Sequence, residues 1–335
     1  MPLDLDRPVR DTLVLDTVRG AVDHLAQELR ELVPEQARIV RRGPDHVVVD
    51  YAGPLRPLAA ARLYSRCAVA LDALPDGSWP RLDESLRTGV LGALPTPVRF
   101  RVAPLGDRRW PVRDLLRDRY GWVNDPSGWD VNVEYRHDVP RAEIGPLYLT
   151  RRFGELARLP ASTTPVVAAL LCRLAKIGPD DTVLDPVCGA GTLLVTAAEA
   201  AGARHLAGAD LDPRAVRAAR DNLARRGLPA AAVVRADATR LPLPDGSVDR
   251  VVANLPFGKR VGSHRGNATL YPGLLRELTR VLTRQGRAVL LTEDKALLRQ
   301  SVQRTPHLHV VRELVLETGG AHPSAFVLTR TRGRR

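Results

Sequence analysis

The second half of the chain alternates short apolar runs with longer stretches in which apolar residues recur at helical spacing. Strands that alternate with helices of this length indicate βαβ units on a mostly parallel sheet. The pattern predicts, in chain order, helix 166–177, strand 182–187, helix 192–201, strand 205–210, helix 213–226, strand 231–237 and strand 249–255. We therefore predict a doubly wound, Rossmann-like α/β domain over residues 166–331.

The first 75 residues carry a different order of elements. The pattern predicts strand 11–18, helix 18–32, a hairpin of strands 37–40 and 46–51, a short helix at 57–65 and strand 67–73. Gly43, Pro44 and Asp45 supply the turn of that hairpin. The order βαββαβ is that of a ferredoxin-like unit. A ferredoxin-like α+β domain is predicted over residues 1–75.

Residues 76–148 form a less regular pattern, which predicts a second small α/β module. Its predicted elements are helix 82–91, strand 98–103, helix 112–120 and strands 129–135 and 144–150. The composition then shifts toward Arg, Gly and Pro, which is typical of a connection between domains. Residues 149–165 are therefore predicted to be a linker.

Composition narrows the classes of protein that remain possible. The chain contains no run of eighteen apolar residues, and its N-terminus lacks an apolar signal core, so we expect a soluble cytoplasmic protein that does not enter a membrane. Its three cysteines, Cys67, Cys172 and Cys188, are scattered and lack metal-ligand spacing. Neither a disulfide framework nor a metal site is indicated.

The formal net charge of +12 indicates a polyanionic partner. Residues 1–160 hold 24 basic and 23 acidic side chains, whereas the remaining residues hold 26 and 15. The excess positive charge therefore lies on the half of the chain that carries the candidate site residues, as nucleic acid binding near a catalytic site requires. An incidentally basic surface is the alternative reading of the same distribution.

The first strand of the predicted parallel sheet ends in a glycine-containing turn. Asp185 is followed by Gly189 and Gly191, which let the backbone pass close to a ligand at the positive end of the next helix. Leu194 stands where the dinucleotide fingerprint requires a third glycine, and this weakens an assignment to nicotinamide cofactors. The Asp185 carboxylate can accept from a cationic amine but would repel a pyrophosphate.

Two further acidic residues follow successive strands. Asp210 ends the second strand, where a carboxylate can hold both ribose hydroxyls of an adenosine. Asp237 follows the third strand and can accept from an adenine amine, whereas Asp212 is interpreted as the cap of the helix starting at Pro213. Three acids at the carboxyl ends of neighbouring parallel strands predict a single ligand site at that edge.

The fourth strand ends in NLPFG, an unusual set of residues for a simple strand terminus. Asn254 offers an amide oxygen, Leu255 a backbone carbonyl and Phe257 a flat apolar face, which together can grip a planar ring bearing an amine. Two acceptors facing that amine would aim its nitrogen lone pair at an electrophile such as a sulfonium methyl group. The alternative is a strand-ending turn with a core phenylalanine.

The segments DPVCGAGT, GADLD, RADATRLP and NLPFG resemble, in order and spacing, the motifs of class I S-adenosylmethionine-dependent methyltransferases that act on exocyclic amines. The resemblance covers the C-terminal half of the chain. The ferredoxin-like start, the second module, the segment TRRFGELARLPASTTP and the form NLPFGKR are similar to THUMP-domain RNA methyltransferases, in particular those making N2-methylguanosine in tRNA.

This resemblance implies S-adenosyl-L-methionine as cofactor, RNA and in particular tRNA as partner, and a THUMP-like module at residues 76–148. The implied cofactor-binding residues are Thr163, Thr164, Asp185, Cys188, Gly189, Gly191, Thr192, Asp210, Asp237, Ala238 and Asn254. The implied catalytic residues are Asn254, Leu255, Pro256 and Phe257. The implied RNA-binding residues are Lys259, Arg260 and Arg265.

Three alternatives remain at this point. Asn254 stands where several guanine-modifying members of the family place Asp, so N6-adenine methylation of RNA or DNA by the same fold is the nearest alternative. A binding protein that keeps the fold without turnover is the second. A nicotinamide-dependent oxidoreductase is the third, and it lacks the third glycine and a hydride-side His or Lys–Tyr pair.

Overall fold

The computed structural model describes residues 3–72, 79–103, 109–136, 139–228, 231–257 and 264–330. The chain divides into two compact units, Met1–Glu155 and Leu156–Arg335. The division falls inside the segment predicted as a linker. Part of that segment is helical, because residues Leu149–Phe153 form a short helix of the first unit.

The N-terminal unit begins with the predicted order of strands and helices. The elements up to the fourth strand are β1 (Pro8–Asp16), α1 (Val22–Leu32), β2 (Ala37–Arg42), β3 (His46–Pro54), α2 (Leu55–Ala60) and β4 (Arg66–Ala70). They are followed by α3 (Pro80–Thr88), a 3₁₀ helix (Val90–Ala93), β5 (Arg99–Val102), α4 (Arg109–Tyr120), β6 (Val123–Asn124), β7 (Val131–Arg136), β8 (Val139–Ile144), a second 3₁₀ helix (Gly145–Leu147) and α5 (Leu149–Phe153). The βαββαβ order predicted for the first 75 residues is confirmed.

The eight strands described in this unit belong to one sheet, in the order β2-β3-β1-β4-β8-β7-β5-β6. β4 pairs antiparallel with β1 on one side and antiparallel with β8 on the other. The stretches 1–75 and 76–148 therefore share a continuous hydrogen-bonded sheet, and their separation into a ferredoxin-like domain and a THUMP-like module stays a prediction.

One predicted strand of the N-terminal unit is wrong. Residues 144–150 were expected to be extended, but the strand here is β8, and a 3₁₀ helix followed by α5 occupies most of that stretch. Pro140 lies within β8, opposite Tyr135, and a proline argues against a central strand from sequence alone. Gly145 and Pro146 then end the extended conformation.

The C-terminal unit contains seven strands and five helices among its described residues. They are α6 (Pro165–Ala175), β9 (Thr182–Asp185), α7 (Thr192–Ala201), β10 (His205–Asp210), α8 (Pro213–Arg225), β11 (Ala232–Arg235), β12 (Val248–Asn254), α9 (His264–Val281), β13 (Leu282–Thr292), α10 (Lys295–Gln303), β14 (Leu308–Val315) and β15 (Ser324–Arg330). The sheet order is β11-β10-β9-β12-β13-β15-β14. Neighbouring strands from β11 to β13 are parallel, and β15 runs antiparallel to both β13 and β14.

The predicted doubly wound α/β architecture of the C-terminal unit is confirmed. On one face of the sheet, Val251 and Ala253 pack with Leu274 and Leu278 of α9. Because side chains alternate along a strand, Val252 is buried on the opposite face. The winding order reverses between β9 and β12, which are neighbours in the sheet. In such sheets the crevice at the carboxyl ends of these strands is where ligands bind.

No helix among the described residues combines the length and the apolar character needed to cross a bilayer.

Candidate active site

A cavity of about 1050 Å³ lies where the strands of the C-terminal sheet end. Its walls come from the segment 158–164, the turn after β9, the residues following β10, β11 and β12, and the tip of the β14–β15 hairpin. The sequence-predicted residues that line it are Thr163, Thr164, Asp185, Cys188, Gly189, Thr192, Asp210, Asp237, Ala238, Asn254, Leu255, Pro256 and Phe257. Residues scattered over almost 100 positions of the sequence thus surround one space.

Gly191 is the sequence-predicted cofactor residue that the described structure does not place on the cavity wall. It is the residue directly before α7 and has a φ of 78°, and a Cβ atom there would lie 3.1 Å from the Cβ of Ala219 in α8. Gly189 differs, because a Cβ there would meet open space although its φ is 51°. Gly191 therefore allows close helix packing, whereas Gly189 leaves room for a ligand to approach the backbone.

The Asp210 carboxylate organises the glycine turn. One of its oxygens accepts from the Gly189 backbone N–H at 2.9 Å and the other from the Asp212 backbone N–H at 2.9 Å. Asp212 in turn accepts from the Arg214 backbone N–H at 2.8 Å, so its predicted role as the cap of α8 is confirmed. Asp210 links the ends of β9 and β10, and it still has oxygen lone pairs available for ligand hydroxyls.

Asp185 is a carboxyl group that is fully buried at the end of β9. It accepts from the Val187 backbone N–H at 3.2 Å, and the described residues provide no cation in an ion pair with it. Burial raises the pKa of Asp185 well above its ordinary range, and the nearby Asp210 charge adds to the increase. Such a group is costly to ionise alone, so it is suited to a ligand that brings a positive charge.

Asp237 lies beyond the end of β11 in an exposed position. Its Oδ1 accepts from the Thr239 backbone N–H at 2.8 Å and from the Thr239 hydroxyl at 2.7 Å. These hydrogen bonds lower the pKa of Asp237, so its side chain is ionised at neutral pH. The neighbouring Ala238 is buried, and together the two residues place an acceptor beside an apolar surface.

Asn254 ends β12 with its amide held in one orientation. Its Nδ2 donates to the backbone carbonyl of Ala161 at 3.3 Å, whereas its Oδ1 is buried and accepts no hydrogen bond from the described residues. A buried acceptor without a donor costs free energy, and native proteins rarely leave one unless a ligand or water supplies the missing donor. The structure therefore presents an unsatisfied acceptor at the end of the strand that carries NLPF.

The turn after Asn254 is held in place by hydrogen bonds to the Pro256 carbonyl, which the sequence analysis did not predict. The Pro256 carbonyl accepts from Asn267 Nδ2 at 2.8 Å and from the Tyr271 hydroxyl at 2.9 Å. Tyr271 also shares a hydrogen bond of 2.8 Å with the Thr292 hydroxyl, and burial raises the pKa of Tyr271 to about 12. Asn267 and Tyr271 are four residues apart, so a polar pair on the inner face of a helix was the available signal.

The remaining predicted residues lie at the edge of what the structure describes. Phe257 is half-buried and lines the cavity. Lys259 and Arg260 lie outside the described residues. Arg265 is in the first turn of α9, and its side chain is outside the description. The RNA-binding role of these three basic residues stays a prediction.

The tip of the β14–β15 hairpin forms a wall of the cavity that the sequence did not indicate. Thr318 and Ala321 exchange backbone hydrogen bonds of 2.9 Å around Gly319 and Gly320, which have φ values of 55° and 81°. Two positive φ values are what a tight two-residue hairpin turn requires. The Glu293 carboxylate, on the loop after β13, accepts from the His322 backbone N–H at 3.0 Å and attaches this hairpin to the rest of the site.

Comparison with known proteins identifies the family. The family model described as RMKL-like, methyltransferase domain matches residues 155–323, which is half of the chain. The chain belongs to this family. A solved structure, that of TrmN from Thermus thermophilus, is 30% identical with a TM-score of 0.75, and the match covers 96% of this chain and 99% of that one.

Two curated relatives extend this family assignment. The tRNA (guanine(6)-N(2))-methyltransferase THUMP3 of Bos taurus is 34% identical over 236 residues, which cover 64% of this chain and 46% of the relative. The tRNA (guanine(6)-N2)-methyltransferase of Thermus thermophilus is 39% identical over 183 residues, which cover 54% of each chain. The chain thus matches about half the length of these relatives. The class I methyltransferase fold predicted from the motifs is confirmed.

Proposed function

We propose that the protein transfers a methyl group from S-adenosyl-L-methionine to the exocyclic N2 amine of a guanosine in tRNA. The observation that carries the proposal is the buried Oδ1 of Asn254, an acceptor with no donor among the described residues, on a residue that lines the same cavity as Asp185. The names of the similar proteins from Bos taurus and Thermus thermophilus state the same reaction on tRNA.

The cavity suits this cofactor because the residues that line it can pair with the successive chemical groups of S-adenosyl-L-methionine. In this proposal Asp185 pairs with the ammonium of the methionine portion, and Gly189 leaves its backbone open to close approach. Asp210 can accept from the ribose hydroxyls, and Asp237 from the adenine amine beside the apolar Ala238. The cofactor supplies an electrophilic methyl group on a positively charged sulfur.

The residues after β12 would position the substrate amine. Asn254 Oδ1 and the Leu255 carbonyl accept from the two N–H groups of the amine, which keeps the nitrogen lone pair out of the ring and directed toward the cofactor. Asn254 cannot act as a base, because an amide does not take up a proton at neutral pH. The proton therefore leaves to water after the nitrogen–carbon bond has formed, when the methylated amine is acidic.

The excess positive charge beyond residue 160 supports RNA as the partner, since Arg-rich surfaces attract phosphates without reading sequence. In this proposal the C-terminal unit supplies that attraction, and the nearly neutral residues 1–160 contribute recognition of RNA shape.

The direct test is to incubate the protein with labelled S-adenosylmethionine and total tRNA, digest the RNA to nucleosides and identify the methylated species by mass spectrometry. N2-methylguanosine supports the proposal. N6-methyladenosine would establish the adenine alternative, and the absence of label in any nucleoside would favour a binding protein without turnover.

Phe257 is expected to stack on the target base. Replacing Phe257 by alanine should lower turnover about tenfold or more, because base–aromatic stacking contributes about 1–3 kcal/mol, whereas Phe257→Tyr should retain most activity. Steady-state methylation of tRNA and thermal unfolding of both variants are the measurements. Full activity of the alanine variant would contradict stacking, and unfolding of both variants would identify Phe257 as a core residue.

A further inference from the structure

We propose that the backbone carbonyl of Ala161 is the positioning group that orients the Asn254 amide for catalysis, and that Asn222 holds the segment carrying this carbonyl. This inference rests on the proposed function, because it assigns the orientation of the acceptor that faces the substrate amine. It concerns residues 156–164, which precede the methyltransferase sheet.

An amide needs such a partner because its two ends differ chemically. Oδ1 of Asn254 accepts hydrogen bonds, whereas Nδ2 only donates them. If the amide were turned over, Nδ2 would face an amine that also carries N–H groups, and the two donors would repel. The Ala161 carbonyl can only accept, and it lies 3.3 Å from Nδ2, so it selects the orientation in which Oδ1 is the end of the amide without a partner among the described residues.

The direction of the Ala161 carbonyl is set by a tight turn. The Ser162 backbone N–H donates to the Leu159 carbonyl at 3.0 Å, and the Ser162 hydroxyl accepts from the Leu159 backbone N–H at 2.8 Å. Pro160 and Ala161 occupy the middle of this turn, and Ala161 has a φ of 64°. A turn with proline second and a positive φ third normally places glycine at that third position. Alanine is strained here, so the surrounding hydrogen bonds must hold it.

The start of the same segment is held by a buried amide in α8. Asn222 is fully buried and accepts from the Ala157 backbone N–H at 2.9 Å while its Nδ2 donates to the Ala157 carbonyl at 2.9 Å. The same Nδ2 donates to the Ala190 carbonyl at 2.8 Å, in the glycine turn. Asn222 therefore joins the segment that orients Asn254 to the turn that approaches the cofactor.

The arrangement predicts that the nearly isosteric change Asn254→Asp disturbs the site. A carboxylate has no N–H for Ala161, so one negatively charged oxygen would face a carbonyl oxygen and the side chain would turn away. Among the described residues, the acids lining the same cavity are Asp185, Asp210, Asp212, Asp237 and Glu293, which outnumber the lining cations Arg158 and Arg214 and therefore favour protonation of a carboxyl at this position. The protonated acid can donate to Ala161 and restore the orientation.

The first experiment compares Asn254→Asp with the wild-type chain as the pH is lowered from about 9 to about 6, with tRNA as substrate. At the highest pH we expect kcat to be reduced about 10²-fold, since one aligned catalytic hydrogen bond is lost. The ratio of variant to wild-type kcat should then rise as the pH falls. The exposed Gln303→Glu variant is the matched control for an amide-to-acid change and should follow the wild type. Equal activity of Asn254→Asp and wild type at all pH values would overturn the proposal.

One further variant separates positioning from folding. Asn222→Asp keeps the size of the side chain while removing two hydrogen-bond donors. It should lower kcat about tenfold in protein that remains folded, since small misplacements at a reacting centre have large effects. A lower Tm with unchanged kcat would give Asn222 a purely structural role and overturn the proposal.

A crystal structure of the Asn254→Asp variant at high pH gives a readout independent of activity. We expect the carboxylate to rotate away from the Ala161 carbonyl, and an unrotated side chain would overturn the proposal even if turnover were low. Failure of the proposed function looks different. A wild-type chain that methylates another nucleotide, or none, would refute that function and leave the geometry of Asn254, Ala161 and Asn222 to be judged by the variant structures.

Discussion

Replacing Asn254 by alanine is expected to abolish methyl transfer while cofactor binding survives. The variant loses the Oδ1 acceptor that is buried at the end of β12 and that has no donor among the described residues. Losing one preorganised hydrogen bond at a reacting centre costs about 3–4 kcal/mol, or about 10²- to 10³-fold in kcat. Single-turnover methylation measures the first effect, and calorimetric titration with S-adenosylmethionine measures the second.

An exposed alanine substitution, Gln303→Ala, is the control and should leave both quantities unchanged. If Asn254→Ala lost cofactor affinity to the same extent as turnover, the side chain would belong to the cofactor half of the cavity and its assignment to the substrate amine would be wrong.

Replacing Asp185 by asparagine is expected to weaken cofactor binding strongly and yet to stabilise the ligand-free protein. A charge-assisted hydrogen bond contributes about 1.5–3 kcal/mol, so the dissociation constant for S-adenosylmethionine should rise about 10- to 100-fold. The stabilisation follows from burial, which raises the pKa of Asp185 well above 3.8. The asparagine side chain occupies the same space without any cost of ionisation.

The sign of the pH dependence follows from proton binding. Above pH 3.8 the unfolded chain has released the Asp185 proton, whereas the folded protein retains it until the raised folded pKa is reached. The free energy of unfolding contributed by this group therefore falls as the pH rises through that window. The Tm advantage of Asp185→Asn should grow with pH over the same range.

Binding of the cationic cofactor should ionise Asp185 and release a proton. Calorimetry in two buffers with different ionisation enthalpies detects this release, which should disappear in Asp185→Asn. An asparagine variant with lower Tm and unchanged cofactor affinity would instead show that Asp185 serves folding, and that another group pairs with the ammonium.

The sequence predicted the elements from α6 to β12 closely because their pattern is local. Each parallel strand is a short apolar run, and the residues that end β9, β10 and β12 are the polar ones, Asp185, Asp210 and Asn254. Their convergence follows from the geometry of a parallel sheet, whose carboxyl ends share one edge. The strand order of the sheet and the elements from α9 to β15 were not predicted from the sequence.

What the sequence missed depends on contacts between distant positions or on backbone angles. Ala161 is an alanine in a conformation that favours glycine, so its residue type gives no signal of the turn. Asn222 resembles any polar residue of an amphipathic helix until its contacts with Ala157 and Ala190 are seen. Gly191 carries a glycine signal that fits both cofactor approach and helix packing, and only the neighbouring Ala219 distinguishes them.

The pairing of β4 with β8 constrains how this chain can be shortened or recombined. Ala68, Val69 and Ala70 face Glu143, Ala142 and Arg141 across that pair, so a protein ending near residue 75 would expose the whole hydrogen-bonding edge of β4. An uncovered apolar edge is a template for aggregation. Grafting the first 75 residues onto another enzyme would therefore require a new edge-blocking residue, such as a lysine or proline in β4, to keep the hybrid monomeric.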